Sequence, residues 1–179
     1  MSEPLPPKAP DLRALLTPLV GHDVDFVLIG GMAGIAHGSN YLTFDLDIAY
    51  RRGRGNIKRL VAALVELDVR LRGAPADLEF PLDERMIENG SNFTFVTPHG
   101  DLDILGDVAG VKSFDALSSD AVEREISGLP VKVASISSLI AMKRAANRPK
   151  DRNMLEDYLV IADEQRRAEA GDAERSESS

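Results

Sequence analysis

The fold is constrained most by one segment, VLIGGMAGIAHGSNYLTFDLDIAY, which spans residues 27 to 50. Its apolar start predicts a short buried strand that ends at the glycine pair, Gly30 and Gly31. The following residues, GMAGIAHG, predict a short helix that ends at Gly38. The last part, FDLDIAY, alternates between polar and apolar residues and predicts a second strand. A strand, a glycine turn, a helix and another strand are therefore expected in close succession.

The length and composition fit a single domain, since the chain has 179 residues, of which 44% are hydrophobic and 28% are charged. We expect a flexible N-terminus at residues 1–10, a domain at 11–165, and a disordered acidic tail at 166–179 that could instead extend a frayed helix. No apolar run approaches the roughly 20 residues that cross a bilayer. Because the start, MSEPLPPKAP, also lacks a signal-peptide pattern, the expected location is the cytoplasm, without a membrane partner.

Two features of the composition limit the chemistry. The chain contains no cysteine, which excludes disulfides and thiolate metal ligands and leaves oxygen and histidine as ligands. Its formal net charge of −8 argues against a general role in coating nucleic acid.

The rest of the chain predicts helices and hairpins. In chain order these are the helices DLRALLTPLV and NIKRLVAALVEL, the hairpins NFTFVTPHGDLDIL and VEREISGLPVKVAS, and the helices ISSLIAMKRAA and NMLEDYLVIADEQ. Asp11 and Asn56 are the expected N-caps of the first two helices. The stretch GAPADLEFPLDERMIENG has no assignable pattern. Since strands and helices alternate first and helices gather at the end, the predicted class is α+β, with a mixed sheet flanked by helices.

Asp45 and Asp47 are candidate metal ligands. They lie two residues apart on the predicted strand FDLDIAY, so their side chains share a face, with roughly 7 Å between their Cα atoms. Carboxylates this close repel each other unless water, an arginine or a cation intervenes. Carboxylate oxygens suit a hard cation such as Mg²⁺. An exposed acidic strand face without a ligand would give the same pattern.

A second acidic strand, in HGDLDIL, carries Asp101 and Asp103 on one face. If this strand pairs beside FDLDIAY, three or more carboxylates converge. Such a cluster can hold two metal ions that align the attacking and leaving oxygens of phosphoryl or nucleotidyl transfer. Because Asp101 and Asp103 face the same way, the sequence leaves open which of them is the third carboxylate.

Three further positions are ambiguous when each is considered alone. The glycine pair could let the backbone approach a phosphate or could form a tight turn, and it matches neither a P-loop nor a Rossmann fingerprint. Lys143 continues the apolar stripe of its helix and could either extend to the edge of the core or reach an anion such as a triphosphate. Asp151 could align with the apolar face of the last helix or be its N-cap.

Taken together, Gly30-Gly31, Asp45-Leu46-Asp47 and the later Asp103 resemble the motifs of the DNA polymerase β-like nucleotidyltransferase superfamily. The later segment SLIAMKRAANRPKD is similar to the bacterial group that includes AbiEii/MenT-type toxins. The resemblance implies a nucleotidyltransferase fold with C-terminal helices that binds a nucleoside triphosphate with Mg²⁺ (or Mn²⁺). It further implies transfer of a nucleoside monophosphate to an RNA (tRNA-like) or protein hydroxyl, with release of pyrophosphate.

The same resemblance assigns the metal site to three carboxylates. Asp45 and Asp47 would bind the metal ions, and Asp103 would complete the site and help to activate the acceptor hydroxyl. A cognate antitoxin or toxin protein is the partner that the resemblance implies.

The resemblance also assigns the phosphate-binding groups. Gly30 and Gly31 would contact the triphosphate. Thr43, which matches a motif position just before the acidic pair, is assigned to the same cofactor-binding set. Lys143 would hold phosphate charge, and Asp151 would support that lysine or the acceptor.

The chain departs from this group at one position. Relatives commonly have His-Gly-x-x-Arg-x-Thr before the acidic pair, and in HGSNYLTFD the arginine position is Tyr41, which has no positive charge. His37 matches, but taken alone its position indicates a packed or capping residue rather than a catalyst. The alternative function is therefore a catalytically weak or silent nucleotide-binding or antitoxin-like module. Two basic clusters, RRGRGNIKR and KRAANRPKDR, would favour a triphosphate or RNA if both flank the cleft.

Overall fold

The computed structural model describes residues 9–75, 77–149 and 151–177. Its strands are β1 (Phe26–Ile29), β2 (Asp45–Tyr50), β3 (Arg70–Leu71), β4 (Asn92–Thr97), β5 (Gly100–Leu105), β6 (Val122–Ile126) and β7 (Leu129–Val133). Its helices are α1 (Leu12–Gly21), α2 (Gly30–Ala36), α3 (Arg54–Glu66), α4 (Glu84–Asn89), α5 (Phe114–Asp120), α6 (Ile136–Ala146) and α7 (Asp151–Glu177).

The strands form one mixed sheet in the order β3-β4-β5-β2-β1-β7-β6. Its centre is apolar, since Leu46, Ile48, Leu102 and Ile104 on the two central strands are fully buried. Helices α1, α3 and α4 pack in one group, and α2, α6 and α7 in another. The predicted α+β class is confirmed.

The pairing of β2 with β5 places the two acidic strands side by side. The strands run parallel, with Asp45 opposite Asp101 and Asp47 opposite Asp103. The carboxylates were expected to converge if the two acidic strands pair, and this pairing is present. On its other edge β2 is antiparallel to β1, where Ile29 lies opposite Asp47, immediately before the glycine pair.

The two expected N-caps have different outcomes. Asp11 caps α1, because its side chain accepts a hydrogen bond from the backbone of Ala14 at 3.0 Å. The prediction for Asn56 is wrong, since α3 begins two residues earlier and Gly53 is its N-cap.

The buried amide of Asn56 instead ties the start of β1 to the end of β2. Its Nδ2 donates to the carbonyls of Asp25 and Arg51, at 3.0 and 2.9 Å, and its Oδ1 accepts from the Asp25 backbone at 2.6 Å. Satisfying these groups offsets the cost of burying a polar side chain that is only 3% exposed.

Short helices account for what the sequence left unassigned. The stretch from Gly73 to Gly90 contains α4, a helix of six residues whose N-cap, Asp83, accepts from the backbone of Met86 at 2.8 Å. Helix α5 is of similar length, and Ser113 caps it. Helices of one or two turns are too short to show an apolar periodicity.

The structure describes more of the C-terminal end of the chain than of the N-terminal end. Residues 1–8 of the predicted flexible N-terminus lie outside the described residues. Helix α7 has 27 residues and ends at Glu177, so it includes most of the predicted tail. Of the two alternatives for the tail, the structure has the helical one. Ion pairs at helical spacing, Asp163 with Arg167 and Asp172 with Arg175, support the polar end of the helix. No helix among the described residues is both long and apolar enough to cross a membrane.

Candidate active site

Three carboxylates converge on one face of the central strands. Asp45, Asp47 and Asp103 each offer an oxygen atom, and the three atoms lie within 4.8 Å of one another. The parallel register sets this arrangement, because Asp47 and Asp103 are direct neighbours across β2 and β5. Oxygen donors at this spacing fit a hard divalent cation. Thr43 fixes one of the carboxylates, since its Oγ1 donates to Oδ1 of Asp45 at 2.8 Å.

The electrostatics of the cluster favour a bound cation. Burial, followed by the charges of Asp45 and Asp103, raises the pKa of Asp47 from 3.8 to about 7. Burial also raises the pKa of Asp103, although the neighbouring Arg72 opposes the shift. A cation would offset both causes of these shifts, the burial of the carboxylates and the repulsion between them.

The glycine pair is required by close packing against β2. Gly30 has a φ of +67°, and a Cβ atom at this position would lie 2.1 Å from Oδ2 of Asp47. A Cβ atom on Gly31 would lie 2.7 Å from Cβ of Thr43. The absence of side chains therefore lets the start of α2 approach the carboxylates directly, and leaves its backbone accessible on the same side.

An ion-pair cluster lines the same cavity as the carboxylates. Nζ of Lys143 on α6 lies 2.9 Å from Oδ1 of Asp151, and Nε of Arg148 lies 2.8 Å from Oδ2. Although burial alone would raise the pKa of Asp151, the hydrogen bonds from these two cations lower it overall. Asp151 is the first residue of α7, and its carboxylate supports Lys143, which matches one of the two roles that the resemblance implies.

All the predicted site residues line a single cavity of about 660 Å³. They are Gly30, Gly31, Thr43, Asp45, Asp47, Asp103, Lys143 and Asp151, and Asp101 is also present. Segments that are far apart in the sequence thus contribute to one site: the turn after β1, the strands β2 and β5, and the junction between α6 and α7.

Two arginines in the cavity were not predicted individually. Arg148 belongs to the second basic cluster, so its charge was visible in the sequence without its position. Arg72 follows the two-residue strand β3, and its Nη2 lies 2.6 Å from Oδ1 of Asp103. No sequence pattern indicates Arg72, because its position depends on an edge strand that is too short to show an alternation.

Two motif positions have no direct part in the cavity lining. His37 has a packing role: its Nε2 lies 2.8 Å from the carbonyl of Ala134, and its Nδ1 lies 3.2 Å from Nε2 of Gln165 on α7. Tyr41 is 37% exposed and is not among the described residues that line the cavity.

Among the described residues, the second basic cluster lines the cavity and the first does not, so the condition that both flank it is not met. The first cluster follows the end of β2 that is remote from Asp45. Three of its arginines, Arg51, Arg52 and Arg54, form ion pairs there. Arg51 pairs with Asp25 and Asp115, and Arg52 lies 3.4 Å from Asp107. Their charges are balanced locally, so they contribute little to the potential of the cavity.

Comparison with known proteins finds similarity in structure only. No family model matches the sequence, and no curated protein matches it. A solved structure of a nucleotidyltransferase described as putative, from Thermotoga maritima, is similar with a TM-score of 0.54 and 15% identity, over 83% of this chain and 89% of the other. At this identity the likeness shows a shared fold, and a shared fold does not by itself establish a shared function.

Two antibiotic-modifying enzymes are also similar. The lincosamide antibiotic adenylyltransferase LnuA, solved with lincomycin bound, matches with a TM-score of 0.56 and 13% identity, over 86% of this chain and 99% of that one. ANT(2″)-Ia, solved in complex with adenylyl-2″-tobramycin, matches with a TM-score of 0.54 and 16% identity, over 94% and 97%. The chain therefore has the fold of these nucleotidyltransferases.

Proposed function

We propose that this protein is a metal-dependent nucleotidyltransferase, which transfers a nucleoside monophosphate from a nucleoside triphosphate to a hydroxyl group and releases pyrophosphate. The observation that supports this most strongly is the convergence of Asp45, Asp47 and Asp103 in a cavity that Lys143 also lines. The fold shared with nucleotidyltransferases agrees with it.

The metal ligands would be Asp45, Asp47 and Asp103, which would hold Mg²⁺ or Mn²⁺. A divalent cation in such a site neutralises triphosphate charge and lowers the pKa of an acceptor hydroxyl. Because burial and the neighbouring carboxylates raise the pKa of Asp47, a cation that binds there would displace a proton.

The protein's own groups would position the reactants. The acceptor oxygen forms a bond to the α-phosphorus while the bond between the α-phosphorus and the bridging oxygen breaks, and the electron pair leaves with pyrophosphate. Asp103 would accept the hydroxyl proton. Lys143 and Arg148 would hold phosphate charge, and the backbone at Gly30 and Gly31 would approach the triphosphate.

Apolar side chains at the cavity favour a protein as the acceptor. Leu42 is 84% exposed and Phe44 is 43% exposed, and both line the cavity. Exposed apolar groups beside a reaction site suit contact with a protein segment. The arginines that would favour RNA, such as Arg51, are engaged in ion pairs elsewhere. A hydroxyl of a tRNA-like RNA is the second acceptor to be tested.

The biological setting is a further part of the proposal. The resemblance to AbiEii/MenT-type toxins supports a role in a toxin-antitoxin system, with a cognate antitoxin or toxin protein as partner. The sequence supports a cytoplasmic location, because it contains no apolar run of membrane-spanning length.

The test is transfer of label from each of the four α-labelled nucleoside triphosphates with Mg²⁺ or Mn²⁺. Acceptors are a protein extract, total tRNA, lincomycin and tobramycin, the last two because they are bound in the solved structures of similar fold. Label should transfer with the wild type and with Asp172→Asn, an exposed carboxylate variant on α7, but not with Asp45→Asn. Absence of transfer from all four nucleotides to every acceptor would contradict the proposal.

The alternative is a module that binds a nucleotide without turning it over. Tyr41 favours this alternative. The group that the sequence resembles commonly has an arginine at this position, and tyrosine has no positive charge. Calorimetry with each nucleoside triphosphate and Mg²⁺ separates the two functions. Binding that is lost in Lys143→Met, without label transfer, would support the alternative.

A further inference from the structure

Arg72 reaches the carboxylate cluster from the edge of the sheet. Its backbone N–H donates to the carbonyl of Thr94 at 3.0 Å, Thr94 lies opposite Asp103, and Asp103 lies opposite Asp47. The four residues therefore form one row across neighbouring strands. Since strands lie about 4.8 Å apart, the backbone of Arg72 is about two strand spacings from Asp103, which an extended arginine side chain can span.

The guanidinium of Arg72 contacts two carboxylates at once. Its Nη2 donates to Oδ1 of Asp103 at 2.6 Å and to the carbonyl of Phe95 at 3.2 Å, and its Nε lies 3.2 Å from Oδ2 of Asp101. The exposed fractions of the side chains decrease from Asp101 (43%) through Arg72 (32%) to Asp103 (18%). Asp103 is thus the more buried end of the bridge.

This bridge involves the carboxylate that has to become a metal ligand. Asp103 is the member of the metal cluster that Arg72 contacts, whereas Thr43 contacts Asp45. A carboxylate that accepts a charge-assisted hydrogen bond at this distance has part of its charge already neutralised. A divalent cation at the cluster therefore competes with the guanidinium for the negative charge of Asp103.

We propose that Arg72 is a positioning residue that competes with divalent cations for Asp103 and is released onto Asp101 when a cation binds. The guanidinium places a positive charge next to Asp103, which offsets the repulsion between Asp103 and the neighbouring Asp47. Asp101 is then a holding site for Arg72 rather than a metal ligand, which gives separate roles to the two carboxylates that the sequence could not distinguish. This inference rests on the metal site of the proposed function.

The first test is Mn²⁺ affinity, measured by calorimetry on the full chain without nucleotide. Arg72→Gln removes the competing cation, so its Kd for Mn²⁺ should be lower than that of the wild type by roughly tenfold, the size expected for a partly exposed charge contact. Arg54→Gln is the matched control, because it removes one positive charge at an exposed position, paired only loosely with Glu88 at 3.6 Å. Its Kd should stay close to that of the wild type.

The second test uses Asp101→Asn in two backgrounds. In the wild type, loss of the holding site leaves Asp103 as the only carboxylate partner of Arg72, so the Kd for Mn²⁺ should rise several-fold. In the Arg72→Gln background the same change should have little effect, because there is no guanidinium to hold. A purely structural role, or a direct effect of the charge of Asp101, would give the same change in both backgrounds.

The outcomes are distinct. If Arg72→Gln binds Mn²⁺ no more tightly than Arg54→Gln, or if Asp101→Asn weakens binding equally in both backgrounds, the role of Arg72 is wrong and the proposed function stands. If neither the wild type nor any variant binds Mn²⁺, the metal site of the proposed function is wrong as well. Thermal unfolding checks the fold of each variant, and Arg72→Met, which keeps the aliphatic stem, replaces Arg72→Gln if that variant is unstable.

Discussion

Lys143 and Asp151 form an ion pair that joins α6 to α7 at the edge of the cavity. Nζ of Lys143 lies 2.9 Å from Oδ1 of Asp151, and the two side chains are 14% and 3% exposed. Arg148 binds the other oxygen of the same carboxylate. The pair is thus buried and charged, which makes it costly to break from one side.

Replacing Lys143 by Met should therefore reduce both stability and activity. The variant leaves the buried Asp151 with only Arg148 as a cationic partner, so the free energy of unfolding should fall by about 3 kcal/mol, measured by chemical denaturation. Label transfer should also be lost, because the phosphate-binding cation is removed.

The double variant Lys143→Met with Asp151→Asn separates these effects. Removing both charges should recover most of the stability, because no unpaired carboxylate remains buried, while label transfer stays absent. Recovery of transfer in the double variant would show that Lys143 acts only through the fold.

Replacing Gly30 by Ala should disrupt the site locally. Gly30 has a φ of +67°, and the added Cβ would lie 2.1 Å from Oδ2 of Asp47, so that carboxylate has to move. We expect a loss of about 2 kcal/mol in stability from the strained backbone and the contact. Mn²⁺ binding should weaken as well.

Gly38→Ala is the matched control for Gly30→Ala. Gly38 also has a positive φ, of +100°, but nothing lies within 4 Å of the Cβ that would be added. This variant should lose stability through backbone strain and keep Mn²⁺ binding. Equal loss of Mn²⁺ binding in both variants would indicate that the contact with Asp47 does not matter.

The metal-free protein should lose stability as the pH rises toward neutrality, through Asp47. The pKa of this group is about 7 in the folded protein, against 3.8 ordinarily, because burial and the charges of Asp45 and Asp103 disfavour ionisation. The stabilising contribution is therefore fully present below pH 3.8, is lost as the pH rises through the folded pKa of about 7, and amounts to a few kcal/mol, on the order of one per pKa unit.

Chemical denaturation of the metal-free wild type and Asp47→Asn across this pH range isolates the contribution. The difference in the free energy of unfolding between them should shift against the wild type as the pH rises and level off above about 7. Added Mn²⁺ should stabilise the wild type at pH values above that point more than it stabilises Asp47→Asn. A pH-independent difference would contradict the placement of Asp47.

The hydroxyl of Tyr158 should be dispensable for stability. The side chain is fully buried, and its Oη has no hydrogen-bond partner among the described residues. Burial, and then the neighbouring carboxylates, raise its pKa to about 12, so it remains protonated. Tyr158→Phe should leave the melting temperature unchanged or raise it by an amount equivalent to about 1 kcal/mol.

Gly34→Ala tests the same contact from the other side. An added Cβ at Gly34 would lie 2.4 Å from Oη of Tyr158, so this variant should be destabilised in the wild type and less so in the Tyr158→Phe background. Additive effects of the two substitutions would show that Oη does not limit the space at α2.

Local patterns predicted much of the fold. Alternation in FDLDIAY and GDLDIL fixed which carboxylates share a face, because strand side chains alternate regardless of the partner strand. Helical spacing identified α1, α3 and α6, and the Ser127-Gly128 turn, with φ of 52° and 81°, joins the predicted hairpin β6-β7. The N-cap prediction for Asn56 is wrong because an asparagine amide can either cap a helix or make buried hydrogen bonds to distant backbone groups. The local sequence is the same in both cases.

The sequence by itself determined the residues of the candidate site: the glycine pair, the two acidic strands, and the spacing of Lys143 and Asp151. Only the tertiary structure decided how they meet. The parallel pairing of β2 with β5 brings Asp103 beside Asp47, and the edge strand β3 delivers Arg72 to the same row. The physical reason is that strand order and register depend on packing between distant segments, whereas alternation and helical spacing depend only on the local geometry of the backbone.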